Sequence, residues 1–515
     1  MDLFSLEFII FVASCFILYY LVFLINKAFK KRIIPQWTVL LAGSLFFYGF
    51  TNWIFLAYLG GSTLLSYLFA ILCQYRFRKR DNESRYVDSH AKRKKYENLL
   101  CALAIIINVG VLAALKYFNF FVDSINSLFH LSLNTYRFIV PLGISFYTFS
   151  LIAYNVDCCK RVTKAEINPA KFLLFVSYFP KVLQGPISSY DKLKEDGLFN
   201  QHNFVNNDYL KALFRISIGL VKKLVIANVV GLYVNKAYAN LQTMFGFNLI
   251  LISIFYAIQL YCDFSGFMDI SIGVSNLFGI KLEENFDVPY ISSSIQEFWR
   301  RWHITLGNWL KKYIYIPLGG NRVPIWRWII NTLIVWLVSG IWHGANWTFV
   351  VWGLFHGVLL VINGLPKQMQ KTKGISKEKK KPNLVLKALF VAITFILVDI
   401  GWIFFRADNI KDAARFGYHM IKVWHTSAYS PFLDASLVNY NWLLIVSSLI
   451  LVVLIAFKVF STYKTKIIDK IKYPACINYL GKYVFTIVFF SLAIFMLFYT
   501  KSINGGGSSF IYFDF

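Results

Sequence analysis

Long apolar segments recur along the whole chain, and short polar segments separate them. Nine of these segments are almost purely apolar: 6–25, 38–59, 99–115, 249–264, 328–341, 350–362, 386–405, 442–457 and 483–499. Three mixed segments are expected to span, to re-enter or to lie in the interface: 137–156, 171–183 and 209–234. A helix needs about twenty apolar residues to cross a bilayer, and only helices or closed barrels span one. The pattern therefore predicts an all-α polytopic membrane protein with roughly a dozen hydrophobic elements.

Composition agrees with this class. Of 515 residues, 57% are hydrophobic and 15% are charged, whereas soluble chains are about one quarter charged. The first apolar segment is followed by four basic residues within 27–32 and not by a small-residue cleavage site, so it is expected to be a retained span. The sequence shows no internal repeat and no separate soluble domain, so residues 1–515 are expected to form a single membrane domain.

The chain has a net charge of +27, a sign and size that nucleic-acid-binding proteins also show. Its basic residues, however, lie mostly in short loops between apolar segments: 27–32, 76–95, 367–381 and 458–472. Short basic loops are retained in the cytoplasm, so these loops are expected inside. Counting the spans between them places both termini outside, together with a flexible extracytoplasmic tail at 504–515, if 137–156 and 209–234 each cross once.

Motif searches exclude several enzyme classes. The chain has no G-x-S-x-G elbow, no H-E-x-x-H zinc helix, no Walker A loop and no Rossmann fingerprint. Its seven cysteines include no C-x-x-C pair and lie mostly inside or beside apolar segments, so buried thiols are expected. No cluster of His, Cys and carboxylate residues has the spacing of metal ligands, and no metal is expected.

Polar residues in or beside the apolar segments are the informative ones, because such groups usually face a cavity and mark function. Three stretches stand out: YAIQLYCDFSGFMD at 256–269, IQEFWRRWHITLGNWLKKYIYIPLGGNR at 295–322 and SGIWHGANWTFVVWGLFH at 339–356. In the first stretch, Asp263 and Asp269 end an apolar segment. They are expected to satisfy neighbouring polar groups rather than to perform chemistry.

The second stretch predicts an amphipathic helix over 296–312 that lies in the membrane interface. Its tryptophans favour the headgroup level, and its long basic side chains can reach that level. Trp299 and His303 are four residues apart and share one face of the predicted helix. Glu297 and Arg301 form a stabilising i,i+4 pair. The pattern leaves open whether this helix is a surface anchor or part of a site.

The third stretch places His343 at a break between two apolar segments, between Trp342 and Gly344. A histidine on irregular backbone at membrane depth can line a cavity, and histidine is the natural general base near neutral pH. The alternative is a hydrogen-bonded histidine packed between helices. His356 lies inside a continuous apolar segment, so the packed interpretation is favoured there.

Seven motifs together resemble one family. They are PLGISFYTFSLIAYNVD at 141–157, YFPKVLQGPI at 178–187, GLVKKLVIANVV at 219–230, YCDFSGFMDISIG at 261–273, NFDVPYISSSIQEFWRRWHITLGNWLKKYIYIPLGGNR at 285–322, GIWHGANWTFVVWGLFHG at 340–357 and GWIFFRA at 401–407. The chain resembles the membrane-bound O-acyltransferase (MBOAT) family, and within it the bacterial AlgI- and PatA-like polysaccharide O-acetylation proteins. The resemblance runs from residue 99 to the C-terminus.

The resemblance implies a fold, an activity and two site residues. The MBOAT fold is a ring of transmembrane helices around a thin centre, with a tunnel that admits an acyl donor from the cytoplasm. The family's W-H-G histidine corresponds to His343, and the histidine of its R-W-H-I-[ST]-L block corresponds to His303. The implied reaction is acetyl transfer from acetyl-CoA, at the bacterial inner (cytoplasmic) membrane, for O-acetylation of an alginate-, cellulose- or peptidoglycan-type polysaccharide. A separate extracytoplasmic SGNH-type acetyltransferase partner is expected to finish the transfer.

Three alternatives remain open at this stage. One is D-alanyl transfer to teichoic acid, as in the DltB-like branch, whose chains stop before a region equivalent to 401–515. Another is export of an acetyl donor without chemistry, which predicts inverted repeats that the sequence does not show. The third is a non-catalytic scaffold for a secreted acetyltransferase, which the histidine-bearing motifs disfavour.

The C-terminal tail, NGGGSSFIYFDF at 504–515, joins a flexible glycine-rich link to a cluster of aromatic residues. AlgI- and PatA-like proteins end with a similar F-I-Y-F-x-F tail. One interpretation is a plug or membrane anchor. The other is a relay in which His343 removes the proton of Tyr512, the phenolate takes the acetyl group, and the tail delivers it to the partner. Tyr512 therefore joins His343 and His303 as a candidate catalytic residue.

Overall fold

The computed structural model describes residues 3–31, 33–75, 87–206, 208–372, 383–422, 430–434, 437, 440–467, 487, 488 and 491. These residues form α-helices with short π-helical and 3-10 segments, and they contain no β-strand. The helices are α1 (Leu6–Ala28), α2 (Trp37–Thr51), α3 (Trp53–Tyr75), α4 (Val87–Leu112), α5 (Phe118–Phe129), α6 (Ile144–Cys159), α7 (Pro169–Ser177), α8 (Tyr190–Glu195), α9 (Tyr209–Leu220), α10 (Asn228–Ala239), α11 (Phe247–Leu277), α12 (Ile295–Arg301), α13 (Ile304–Leu310), α14 (Ile325–His343), α15 (Trp347–Thr372), α16 (Leu384–Arg406), α17 (Ile410–Lys422) and α18 (Asn441–Ile467).

Seven helical stretches within the described residues are long and apolar enough to cross a membrane. They are Leu6–Ala28, Trp53–Gln74, Lys94–Phe129, Phe247–Leu277, Ile325–His343, Trp347–Gln370 and Leu384–Arg406. The shorter apolar helices Trp37–Thr51 and Asn441–Leu454 match two further predicted segments. The predicted all-α polytopic membrane class is confirmed. Segment 483–499 lies almost wholly outside the described residues.

The predicted segment 38–59 is two helices and not one. Helix α2 ends at Thr51, Asn52 is extended (φ −161°, ψ 120°), and α3 begins at the next residue. The Asn52 side chain accepts a hydrogen bond from Ile54 N at 2.9 Å and so caps the start of α3. A short polar side chain that bonds to nearby backbone competes with helix continuation, and the apolar pattern does not show this competition.

Backbone packing divides the chain into two compact units. The first consists of Met1–Ile216 and Ile270–Glu283, and the second of Ser217–Asp269 and Glu284–Phe515. Within the first unit, α6 is buried along almost its whole length, and α3, α4 and α7 pack against it. Gly143, just before α6, has φ 73°, and a Cβ there would lie 2.3 Å from Val182 O. Only glycine meets both constraints at this turn.

Two thiols of the first unit lie in contact. Cys73 on α3 and Cys159 at the end of α6 have their Sγ atoms 2.6 Å apart. Cys73 is buried and Cys159 is half-buried. The cysteine spacing in the sequence gives no sign of this pair, because the two residues come from different helices.

In the second unit, α14 and α15 cross at close range. A Cβ at Gly340 would lie 2.3 Å from Phe349 O, and a Cβ at Gly353 would lie 2.4 Å from Trp336 O. Small residues allow helix backbones in membrane proteins to approach in this way. Helix α16 packs against α15, and α12 packs against both. This arrangement brings side chains of α15 and α16 to the end of α14, where His343 lies.

Two ion pairs, one buried and one half-buried, join the π-helical segment Val221–Ala227 to α11 in the same unit. Lys223 Nζ lies 2.5 Å from Asp263 Oδ1, and these side chains are 5% and 1% exposed. Lys222 Nζ lies 2.7 Å from Asp269 Oδ2. Because a buried charge is costly without a partner, each lysine requires its carboxylate. The pairs support the structural interpretation of Asp263 and Asp269.

Candidate active site

The predicted single helix over 296–312 is wrong, because the chain breaks at its histidine. Helix α12 ends at Arg301, Trp302 is extended (φ −104°, ψ 131°), and His303 has the left-handed values φ 46° and ψ 52° before α13 begins. Trp299 and His303 therefore do not share one helical face. Hydrogen bonds from a distant segment of the chain hold this turn, so they override the local helical pattern.

The charged pair in this region is confirmed, but the surface-anchor interpretation is not. Arg301 Nη2 lies 2.9 Å from Glu297 Oε1, and Arg301 Nη1 lies 3.4 Å from Asp287 Oδ2. Trp302 and Trp309 are buried among protein side chains. Because an interfacial anchor presents its tryptophans to the headgroups, these two residues do not act as one.

His303 lies in a nearly closed environment in the second unit. It is 2% exposed, and its ring centroid lies 4.9 Å from that of Phe264 and 6.0 Å from that of Trp342. Neither ring nitrogen has a hydrogen-bond partner among the described residues. Burial lowers the pKa of His303 to about 3. The imidazole is therefore neutral near pH 7, with one N–H donor and one acceptor nitrogen.

His343 is the last residue of α14 and is also buried. Its ring centroid lies 4.9 Å from that of Trp352 and 5.2 Å from that of Phe405. The centroids of His303 and His343 are 6.4 Å apart. The structure thus brings together the two histidines that the resemblance singled out. Their catalytic roles remain predictions.

The glycine of the W-H-G motif is required for space and not for backbone conformation. Gly344 is extended, with φ −167°, which any residue can adopt. A Cβ at this position would lie 2.2 Å from Phe349 Cε2. The Phe349 ring in turn packs on Phe405 at 4.9 Å, and Phe405 touches the His343 ring. Gly344 therefore permits the packing that supports His343 from one side.

An open cavity of about 600 Å³ lies beside His303. One wall is a face of α14, formed by residues that recur three or four positions apart: Trp328, Thr332, Trp336 and Ser339. Ser339 precedes His343 by one helical turn, so this face leads towards that histidine. The other wall includes His303 and two cationic side chains, Arg300 and Lys311. His343 itself is not among the lining residues.

His356 is packed between helices, as the sequence favoured. It is fully buried, with ring centroids 4.9 Å from Trp299 and 5.2 Å from Trp352. A Cβ at Gly401 would lie 2.5 Å from its Nε2. The hydrogen bond that usually accompanies a packed histidine is missing within the described part of the chain, since neither ring nitrogen has a partner there. Because Trp299 lines the cavity, His356 lies directly behind the cavity wall.

Two polar residues of this unit were not singled out from the sequence. Asp399 lies within α16, and its buried Oδ1 has no hydrogen-bond partner among the residues that the structure describes. An ionisable residue inside an apolar segment is a recognised sign of function, so this signal was available. Asn285 is 1% exposed and bonds to the backbone next to His303. Its local sequence offers no comparable signal.

Two predictions about the site remain: the role of Tyr512 and the absence of a metal. Tyr512 lies outside the described residues, so the relay through the C-terminal tail stays a hypothesis. In the described ranges, no group of three or more His, Cys, Asp or Glu side chains is arranged to hold a metal ion. The cavity and the two histidines therefore define the candidate site.

Comparisons with known proteins agree with the resemblance seen in the motifs. A sequence model of the membrane-bound O-acyltransferase family matches residues 160–398. A peptidoglycan O-acetyltransferase of Helicobacter pylori is 34% identical over 76% of this chain and 75% of its own length. A probable alginate O-acetylase AlgI of Pseudomonas putida is 35% identical over 73% of each chain. A teichoic acid D-alanyltransferase of Streptococcus thermophilus is 32% identical over 51% of this chain and 68% of its own length. The chain belongs to the membrane-bound O-acyltransferase family.

Proposed function

We propose that this O-acyltransferase moves an acetyl group from a cytoplasmic thioester donor across the membrane, for O-acetylation of an extracytoplasmic polysaccharide. The observation that carries the proposal is the pair of buried histidines, 6.4 Å apart, of which His303 lines the cavity. Similarity to the named peptidoglycan and alginate enzymes supports a polysaccharide as the final acceptor.

Acyl transfer needs a base for the attacking hydroxyl, a hydrogen-bond donor for the carbonyl oxygen and exclusion of water. His343 acts as the base and takes the hydroxyl proton while the oxygen attacks the thioester carbon. The tetrahedral intermediate then collapses with cleavage of the C–S bond. The departing sulfur receives the proton from His343, so the reaction consumes no net proton and leaves an ester and a free thiol.

His303 stabilises the carbonyl oxygen in this mechanism. Because burial keeps its imidazole neutral, it offers one N–H to the developing oxyanion without itself requiring a counter-charge. The aromatic rings around both histidines, including Trp352 and Phe264, restrict the access of water to the reacting atoms.

The lining of the cavity supports acetyl-CoA as the proposed donor. Arg300 and Lys311 bring two positive charges to its lining, which suits the phosphate groups of a nucleotide thioester. The aromatic and aliphatic wall from α14 accommodates the less polar arm that joins the phosphates to the thioester. The same face of α14 ends at Ser339, one turn from His343, so it directs the thioester towards the histidines.

The oxygen that receives the acetyl group first is proposed to be the Tyr512 phenol. The tail would then present the tyrosine ester to an SGNH-type partner outside the bacterial inner membrane, and the partner would pass the group to the polysaccharide. The D-alanyl alternative is less well supported, since similarity to the D-alanyltransferase covers 51% of this chain against 76% for the peptidoglycan acetyltransferase.

The substitution His303→Asn tests the site with a matched control. His130 is exposed and, like His303, has left-handed backbone, with φ 53° against 46°. Asn tolerates this conformation, so both variants keep the backbone, and both remove an imidazole whose Nε2 position the shorter Asn side chain does not reach. In cells that depend on this chain, H303N should lower polysaccharide O-acetyl content by about a hundredfold or more, and H130N should not.

Protein level in the membrane fraction and D-alanyl ester content are measured in the same cells. Normal O-acetylation by H303N, at a normal protein level, would contradict the proposal. Loss of D-alanyl esters in place of acetyl esters would support the alternative donor.

A further inference from the structure

The backbone of His303 adopts a conformation that its surroundings must hold. Its φ of 46° and ψ of 52° lie in the left-handed region, which is uncommon for a residue with a Cβ. Such residues cluster at functional sites and persist only when neighbouring structure fixes them. The neighbours that fix this turn are therefore part of what positions the imidazole.

A short segment of the chain, 285–287, lies antiparallel to the turn and bonds to it on both sides of the histidine. Asp287 N donates to Arg301 O at 3.0 Å, before the histidine. Ile304 N donates to Asn285 O at 3.1 Å, after it. Between these bonds, Phe286 and Trp302 form an isolated antiparallel bridge. The left-handed residue thus sits within a ladder that another part of the chain provides.

Asn285 also replaces the side-chain cap that α13 lacks. His303 occupies the N-cap position, but its side chain makes no capping hydrogen bond. Asn285 Oδ1 instead accepts from Thr305 N at 3.0 Å and from Thr305 Oγ1 at 2.9 Å. Its Nδ2 contacts Met268 Sδ at 3.4 Å. An oxygen acceptor at this amide is what an N-cap residue normally supplies.

We infer that Asn285 is a positioning residue for acyl transfer, because it caps α13 in place of the histidine and so fixes the His303 imidazole opposite His343. The inference rests on the proposed function of the two histidines. Asn285 does not itself touch the reacting atoms. Its carboxamide oxygen is the essential atom, and the 285–287 backbone supplies the rest of the support.

Two substitutions of Asn285 test whether its side-chain oxygen is needed as a hydrogen-bond acceptor. Asn285→Ala removes the oxygen that accepts from Thr305, whereas Asn285→Asp keeps an oxygen there, and the Thr305 donors and the helix N-terminus offset part of the cost of its buried charge. With purified full-length protein and acetyl-CoA, N285A should lower kcat by about tenfold or more. The KM for acetyl-CoA should stay within a factor of about three, because Arg300, Lys311 and the α14 wall of the cavity make no hydrogen bond to Asn285 among those of the described residues. N285D should retain kcat within about threefold of wild type.

Asn331→Ala serves as the matched control. Asn331 is 3% exposed and donates to Leu318 O at 2.9 Å, so the variant loses an amide hydrogen bond that is not one of those between the 285–287 segment and the His303 turn. N331A should lower the unfolding temperature without lowering kcat per folded molecule. Should N285A fail to accumulate, Thr305→Val removes the hydrogen bond from Oγ1 to Asn285, keeps the one from its backbone N, and should lower kcat by about two- to tenfold.

A kcat for N285A within twofold of wild type would overturn the inference. An N285D variant that is as impaired as N285A while its unfolding temperature equals that of wild type would also overturn it, since the oxygen acceptor would then not decide the activity. Failure of the proposed function is distinguishable, because it requires full activity in H303N. Impairment of H303N with full activity in N285A would overturn only the positioning role.

Discussion

Gly344→Ala is a small change with a large expected effect on His343. The new Cβ would lie 2.2 Å from Phe349 Cε2, far inside van der Waals contact, so the ring must move. Phe349 packs on Phe405 at 4.9 Å, and Phe405 packs on His343 at 5.2 Å. Overpacking of this kind costs about 1–3 kcal/mol. If that strain is expressed in the transition state, kcat falls by about five- to 150-fold.

The assay is acetyl transfer by purified protein, with the amount of folded protein measured in parallel. Gly417→Ala is the control, because nothing lies within 4 Å of a Cβ at that helical position in the same unit. It should leave kcat unchanged and slightly favour the helix. A second substitution, Phe349→Leu, removes Cε2 and Cζ, the first of which lies nearest the new Cβ, and should restore part of the activity of Gly344→Ala. Wild-type kcat in Gly344→Ala, or no recovery in the double variant, would refute the spatial explanation of the W-H-G glycine.

Three further outcomes are expected. Asp263→Ala removes the carboxylate beside Lys223, which should lower the free energy of unfolding by about 3–5 kcal/mol and reduce the protein level more than the specific activity. Adding Lys223→Met should restore the protein level. Normal accumulation with no activity would instead indicate a mechanistic role. Tyr512→Phe should abolish polysaccharide acetylation, and mass spectrometry should find an acetylated C-terminal peptide only in the active wild type; full acetylation by this variant would end the relay hypothesis. Because the pKa of His303 is about 3, His303→Asn should lower kcat without moving the midpoint of any acid limb between pH 5 and 8, and a shifted midpoint would contradict a neutral His303.

The sequence pattern predicted the features that depend on residues close together in the chain. Apolar segment length predicted six of the seven membrane-spanning stretches within the described residues, because the bilayer sets that length directly, but it missed Trp53–Gln74 as a separate span. The i,i+4 pair of Glu297 and Arg301 was also predictable, since it lies within one helical turn and forms at 2.9 Å. The two histidines came from resemblance to the family, and the structure places their rings in proximity.

Features that depend on distant residues were not predictable. The left-handed backbone of His303 is held by Asn285 and its neighbours, about eighteen positions away. Because the local sequence contains no sign of these hydrogen bonds, its pattern predicts one amphipathic helix. The α14 face and residues of α12 and α13 line the same cavity, and α12 and α13 are separate helices because the chain is extended at Trp302. Asp399 is a different case, since an acidic residue inside an apolar segment is visible in the sequence itself.

The most direct test of the account separates donor binding from acetyl transfer at His343. Purified full-length wild-type protein and the His343→Ala variant are incubated with radiolabelled acetyl-CoA, and donor Kd, release of the free thiol and label retained on the chain are measured. We expect the variant to bind acetyl-CoA with a Kd within a few-fold of wild type, because His343 does not line the cavity, and to transfer no detectable acetyl group. Transfer at the wild-type rate by His343→Ala would contradict the central claim that this histidine is the base.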